Sequence, residues 1–397
     1  MTDAPPTRPH PTLDAAVQHK RQALVLPLLF IAVGAIGTAL GMLVVLHRPL
    51  PNTLAAVVPF TVILLIGVWF LNWLDRWEPE PPRFAIGAFL WGAGVSALIS
   101  GVVNSLYLGI TQDLSATAMY SAPLIEESTK ALFLYVVLLS TRRGRAEFNS
   151  LTDALVYGGL VGLGFAWIEH IGYALSVETL EESTPIIIGR IVLTSYLHPV
   201  LTMIVAVGIW AGVTSRGAGR RLRPFMAWLV AVGLHFLHNG SYELFGPWGI
   251  AIAAVAEFVA FVTLIVLGVR SRRAERAEIV RQLPAMVHFG WITPLEAGWL
   301  ADAPARKRML GSAGAQRRTL HDFIQNTTEL ALLRGRLDAM PPGSHPIELL
   351  QLHGELADLV AHQRPVVQGI LARSNGWHTL EARPGPSWGA PTGDGGP

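Results

Sequence analysis

Four stretches of this chain set ionisable side chains into otherwise apolar sequence. APLIEESTKALFLYVV carries Glu126, Glu127 and Lys130. DALVYGGLVGLGFAWIEHIGYAL carries Glu169, His170 and Tyr173. SYLHPVLT carries His198, with Arg190 upstream, and HFLHNGSYE carries His235, His238 and Asn239. Carboxylates and imidazoles together can perform acid–base catalysis, and they are also oxygen and nitrogen ligands for a divalent metal. Glu126 and Lys130 share a helix face at i,i+4, and a lysine beside paired carboxylates can hold one of them ionised, which prepares a general base in a dry site. His235 and Asn239 also share a face, while His238 points elsewhere.

The absence of cysteine excludes disulfides, thiolate zinc sites, iron–sulfur clusters and cysteine nucleophiles, so any metal must sit on His, Glu, Asp or Asn. H-E-x-x-H does not occur, which excludes a helix-borne zincin site. Gly94-Val95-Ser96-Ala97 only loosely resembles a serine nucleophile turn and has no placed base.

The elements that must position these groups are membrane spans. The chain is 51% hydrophobic and 15% charged, against about a quarter charged in soluble domains, which makes lipid its solvent. Eight stretches approach the ~20 apolar residues needed to cross the hydrocarbon core, near 23–46, 54–74, 84–110, 116–140, 153–177, 185–213, 224–244 and 248–269. The fold class is therefore all-α, a polytopic membrane helix bundle of about eight transmembrane helices. It divides into an N-terminal segment 1–22, a membrane domain 23–270, a partly helical tail 271–383 and a disordered Pro/Gly-rich end 384–397.

Arg8, Lys20 and Arg21, then Arg76 and Arg83, then Arg142, Arg143 and Arg145, then Arg216, Arg220, Arg221 and Arg223 fall on one side of the bundle. The opposite loops hold Arg48 and the acidic Glu178, Glu181 and Glu182. The positive-inside rule puts both termini in the cytoplasm of a cell-membrane protein. Arg270, Arg272, Arg273 and Arg276 form a basic collar suited to anionic lipid. The net charge of +2 gives no reason to expect nucleic acid as a partner.

An ionisable group within a span costs at least a few kcal/mol, so each is by default a functional candidate. At about 1.5 Å of rise per residue, Glu126, Glu169, His198 and His235 fall at comparable depth, roughly 12 to 20 Å from the outer surface. Independent structural residues would scatter.

Taken together, E-E-x-x-K, G-x-G-F-x-x-x-E-x-x-x-Y, the Arg190-to-His198 stretch and H-x-x-x-N, in that order across residues 120–240, resemble the PrsW family of intramembrane metalloproteases, distantly similar to the CAAX prenyl endopeptidases. The resemblance implies a multi-pass protease acting on a membrane-anchored protein, an anti-sigma factor being one known type of substrate. It makes Glu126 and Glu127 the glutamate pair, Glu169 the span-five acid, and His198, His235 and Asn239 the remaining polar set. The asparagine that ordinarily follows the span-five glutamate is here His170, which leaves that position with another role or adds a ligand.

On this reading Glu126, or its neighbour Glu127, is the general base. His198 and His235 bind a divalent metal, zinc being suited to imidazole and carboxylate ligands, or donate directly to the oxyanion. Glu169 either ligates or steadies a histidine. Asn239 orients substrate or oxyanion, or simply bridges helices. Arg190 neutralises a carboxylate, His170 and His238 are structural or pore-facing, and Glu257 has no assigned role. Two other functions would use the same residues: a proton- or cation-coupled transporter, and a silent membrane scaffold. Glu126→Gln separates the three, since it abolishes cleavage in the first case, abolishes flux in the second and lowers stability alone in the third.

Overall fold

The computed structural model describes residues 25–139, 148–215, 217–341, 343 and 345–373. The N-terminal segment 1–22, the end from Pro384, and Arg8, Lys20, Arg21, Arg142, Arg143, Arg145 and Arg216 of the charge pattern lie outside the described residues. Among the described residues there are helices and turns and no strand. They divide into two units, one ending at Val269 and the other beginning at Arg270 but also taking in Arg76–Pro79.

The first unit is a helix bundle. Its elements are α1 (Val25–Leu46), α2 (Leu50–Leu74), α3 (Pro82–Thr111), α4 (residues 114–139), α5 (Leu151–Ala174), α6 (Leu180–Val213), α7 (Gly219–Asn239) and the first part of α8 (Gly249–His288). Five helical stretches, Leu50–Leu74, Pro82–Thr111, Leu151–Ala174, Leu180–Val213 and Ser241–His288, are long and apolar enough to cross a membrane. A shorter apolar helix covers Ile31–Leu43. The expected spans near 116–140 and 224–244 are helical, but apolar character is diluted by Glu126, Glu127 and Lys130 in one and by His235, His238 and Asn239 in the other, whose helix begins ahead of the expected span with Arg220, Arg221 and Arg223. The outer face of α2 exposes Val58, Val62, Leu65, Ile66 and Trp69, a stripe that water would not tolerate and lipid does. This is a multi-pass membrane protein.

Helix α5 is the centre of the bundle, packed against α2, α3 and α6, and α6 packs in turn on α7. Its start is fixed by a capping box, in which the Ser150 hydroxyl accepts from the Asp153 amide and the Asp153 carboxylate accepts from the Ser150 amide. Its glycines set the close approach of its neighbours. A Cβ on Gly162 would lie 2.5 Å from the Cα of Pro199, so only glycine lets the backbone around His198 lie against α5.

Several helices change pitch where they carry the site. Wider π-helical turns occur at Trp91–Ser96 in α3, Thr117–Ser121 and Leu134–Leu139 in α4, and Arg190–Thr194 in α6. Helix α6 then breaks at Ser195 and Tyr196 and resumes at Leu197. The cause is Pro199, which lacks an N–H and so leaves the carbonyl four residues earlier, that of Ser195, without its helical partner. The break turns His198 inward, where it is 3% exposed.

The second unit contains the rest of α8, α9 (Pro294–Leu300), α10 (Ala303–Ser312), α11 (Arg317–Asp338) and α12 (Ile347–Arg373). It has its own apolar core, built from Leu283, Met286, Trp299, Phe323, Leu333 and Val360, with Trp77 from the short segment between α2 and α3. Arg306 is buried here, donating to the Leu300 carbonyl at 2.7 Å and lying 4.7 Å from the Trp77 ring centroid. Burial pulls its pKa down to about 10.

Candidate active site

The centre of the site is a chain of charged groups crossing four helices, α4, α5, α6 and α7. Lys130 of α4 donates to Glu127 Oε1 at 2.7 Å, and both side chains are fully buried. The helix-face expectation paired Lys130 with Glu126; the pair formed is the i,i+3 one, because Glu127 faces inward to His235 while Glu126 turns to Asn104. The long Lys130 side chain brings its ammonium into the cluster, 3.1 Å from His198 Nδ1.

These contacts settle the histidine tautomers. An ammonium has no lone pair, so Lys130 is the donor to His198 Nδ1, and the ring proton sits on Nε2. From there it is donated to Glu169 Oε2 at 2.6 Å. Glu127, ion-paired with Lys130, is an acceptor, so His235 Nδ1 donates to its Oε1 at 2.8 Å. That leaves His235 Nε2 with a lone pair, 3.9 Å from Glu126 Oε2. Each histidine is thus backed by a carboxylate on one ring nitrogen, and the two rings lie 5.3 Å apart by centroid.

Glu126 is 6% exposed. Its Oε1 accepts from Asn104 Nδ2 at 3.4 Å, and Asn104 is oriented by Ser121, which donates to its carbonyl at 2.8 Å. Its Oε2 is buried without a hydrogen-bond partner among the described residues. A buried carboxylate oxygen left open is expensive, and this one faces an imidazole lone pair. Sequence reasoning missed Asn104 and Ser121; a lone asparagine in the apolar run GVVNSLYL was the available signal.

Arg190 neutralises the outer carboxylate, as expected, donating to Glu169 Oε2 at 3.5 Å. It also donates to His170 Nδ1 at 2.9 Å and stacks 3.4 Å from the Tyr173 ring centroid. Phe165 forms an apolar wall, with its centroid 4.5 Å from the Lys130 ammonium and 4.9 Å from the His198 ring. His170 therefore supports Arg190, and its Nε2 has no hydrogen-bond partner among the described residues.

Glu126, Glu127, Glu169, His198 and His235 come together; Asn239 and His238 are engaged elsewhere. Asn239 donates to the Ala118 carbonyl at 2.7 Å, tying the end of α7 to the π-helical turn that leads into Glu126. His238 pairs with Glu257 of α8 at 2.7 Å, which supplies the partner that sequence alone did not find for Glu257.

The donor set suits a divalent metal. One ligand atom from each of Glu126, His198 and His235 lies within 4.8 Å of the others, and all three side chains are buried. Two imidazoles and a carboxylate are ligands that zinc accepts. The open Glu126 Oε2 and the His235 Nε2 lone pair are unused acceptors that a cation would satisfy.

The sequence model of the family described as PrsW family intramembrane metalloprotease matches residues 80–267, a range that holds every residue of this cluster. A protein named Protease PrsW from Clostridioides difficile (strain 630) is 28% identical over 211 residues, covering 51% of this chain and 83% of that protein. Another of the same name, from Geobacillus kaustophilus (strain HTA426), is 29% identical over 187 residues, covering 46% of this chain and 74% of that protein. No solved structure matches the chain.

Proposed function

The chain belongs, through residues 80–267, to the PrsW family of intramembrane metalloproteases, and from that premise we propose that Glu126 is the general base that activates water for peptide hydrolysis. The observation that carries the assignment is the open, buried Glu126 Oε2 facing His235 Nε2. We assign His235, through its open Nε2, and His198, through the Nδ1 lone pair that Lys130 would have to give up, as the residues that would hold the metal, zinc, with Glu126 within reach of it. When bound, such an ion polarises the scissile carbonyl and acidifies water.

The rest is work for the chain's own groups. Glu126 Oε2 takes a proton from the attacking water and returns it to the leaving amine nitrogen, so the peptide bond is replaced by an acid and an amine with no other reactant. Asn104 fixes the rotation of the Glu126 carboxylate through Oε1. Glu127 holds His235 with its Nε2 facing the reaction, and Glu169 holds His198. Lys130 compensates the carboxylate charge of Glu127. Of the two readings for Asn239, its contact with Ala118 supports positioning of helices over contact with the oxyanion.

The substrate is a membrane-anchored protein, and an anti-sigma factor is the kind to try first. With Arg76, Arg83, Arg220, Arg221 and Arg223 on one side, we place both termini in the cytoplasm. Metal analysis of the detergent-purified protein, beside cleavage of a membrane-anchored reporter, tests the assignment. Near-stoichiometric zinc, lost in His198→Ala and His235→Ala, together with an inactive but folded Glu126→Gln, is the expected result. Full cleavage by Glu126→Gln would overturn the base assignment.

A further inference from the structure

We propose that the groove between α4, α6 and α7 is a binding site for an anionic phospholipid, with the headgroup phosphate on Arg220 and Arg221 and an acyl chain along the apolar walls. The groove encloses about 640 Å³, within the range of small-molecule sites. Its walls are apolar: Ala131 and Tyr135 from α4, Val205 and Ile209 from α6, and Phe225 and Trp228 from α7. Tyr135, Val213 and Phe225 stand exposed along its edge, so in a bilayer it opens sideways to lipid rather than upward to water.

The charge at its mouth specifies the occupant. Arg220 and Arg221 line the groove and are exposed, and their guanidinium groups have no hydrogen-bond or ion-pair partner among the described residues. Neighbouring Arg223 differs, since it donates to the Ala211 carbonyl at 3.2 Å. Two free guanidiniums at the polar end of an apolar slot match a phosphate attached to a hydrocarbon chain. A neutral lipid satisfies the slot but not the arginines, and a free anion satisfies the arginines but not the slot.

The site lies beside the proposed chemistry without being part of it. Ala131 follows Lys130 on the same helix, and Trp228 Nε1 donates to the hydroxyl of Ser128, next to Glu127, at 3.2 Å. A chain in the groove would therefore pack directly against the helix that carries the glutamate pair.

The test is a titration of the full-length protein in detergent, read by native mass spectrometry and thermal unfolding. The probes are dioleoyl phosphatidylglycerol, dioleoyl phosphatidylcholine and glycerol phosphate. Saturable binding and stabilisation by phosphatidylglycerol alone is expected. The double variant Arg220→Gln/Arg221→Gln should weaken that binding about thirtyfold, from ~1 kcal/mol per basic residue at a lipid surface, without moving the unfolding temperature of the lipid-free protein. Val213→Trp, at the exposed edge, should weaken it with both arginines intact.

Equal response to phosphatidylcholine, or unchanged affinity in the double variant, overturns the site. Full stabilisation by glycerol phosphate, or unchanged affinity in Val213→Trp, removes the acyl chain and leaves a free-anion site. Displacement of the lipid by a membrane-spanning peptide with an acidic flank, but not by its basic-flanked counterpart, would make the groove a dock for a protein segment and overturn the lipid assignment.

Discussion

The Lys130 ammonium donates to His198 Nδ1 at 3.1 Å while ion-paired with Glu127 at 2.7 Å, so one cation links the glutamate pair of α4 to the histidine of α6. Removing it by Lys130→Met leaves Glu127 buried with His235 alone. Breaking one side of a buried pair costs about 3 to 5 kcal/mol, and the unfolding temperature should fall markedly. Adding Glu127→Gln should recover much of that loss. Additive losses in a double-mutant cycle would show that the two groups do not interact.

Glu126→Gln should lower cleavage of a membrane-anchored reporter by at least about a thousandfold, the scale of a positioned general base. Its unfolding temperature should change little, because Asn104 can still bond to the amide oxygen. Asn104→Ala acts through the orientation of Glu126 and should slow turnover far less, with KM unchanged. Equal losses from the two substitutions would place Asn104 in the chemistry itself.

Glu169→Gln weakens the support of His198 without removing the ring. The expected outcome is a metal affinity reduced by about 10- to 100-fold, measured by competition with a chelator. Unaltered affinity would mean that Glu169 serves only Arg190.

His238→Ala would leave Glu257, 1% exposed, without the imidazole it pairs with. A loss of about 1 to 3 kcal/mol is expected for an orphaned buried acceptor, with cleavage retained. His238→Ala/Glu257→Leu, which removes both polar groups, should regain stability. A cleavage defect as deep as that of Glu126→Gln would instead place the pair within the reaction.

In the second unit, burial and the nearby Arg334 hold the pKa of His353 below its ordinary value, against a smaller opposing effect of Asp338. The unfolded chain therefore takes up this proton first as the pH falls. The contribution of His353 is intact above about pH 6.5, its unfolded value, and is lost as the pH drops towards the folded pKa. Protection factors of the α11 and α12 amides, taken relative to the base-catalysed intrinsic rate at each pH, should be lower at pH 5.5 than at pH 7.5, and His353→Gln should flatten the difference.

The membrane helices and the meeting of Glu126, Glu169, His198 and His235 were legible in the sequence because a charge in an apolar span is costly wherever it occurs. Depth alone aligned them. The pairing within the cluster was not legible: Lys130 can reach residues three or four back, and only the inward turn of Glu127 towards His235 selects one. Asn104 was overlooked because an amide perturbs hydropathy less than a charge does. The partner of Glu257 was hidden because His238 was read as facing away from the cluster, as it does, without a partner on the next helix being sought. The second unit's core was the least legible part, since residue 77 and residues 279–370 are too far apart for periodicity to connect them.

That last separation bears on how the protein can be taken apart. The chain enters the second unit at Arg76, leaves it after Pro79 and returns at Arg270, so this unit is an assembly of two sequence pieces rather than an appendage. A chain shortened to end at Val269 would keep Trp77 but delete Ile279, Leu283, Phe323 and the other residues that enclose it. The deletion would strand a tryptophan in the connection that joins two membrane helices. Loss of activity in such a shortened protein would therefore report damage to that connection as readily as the absence of a regulator.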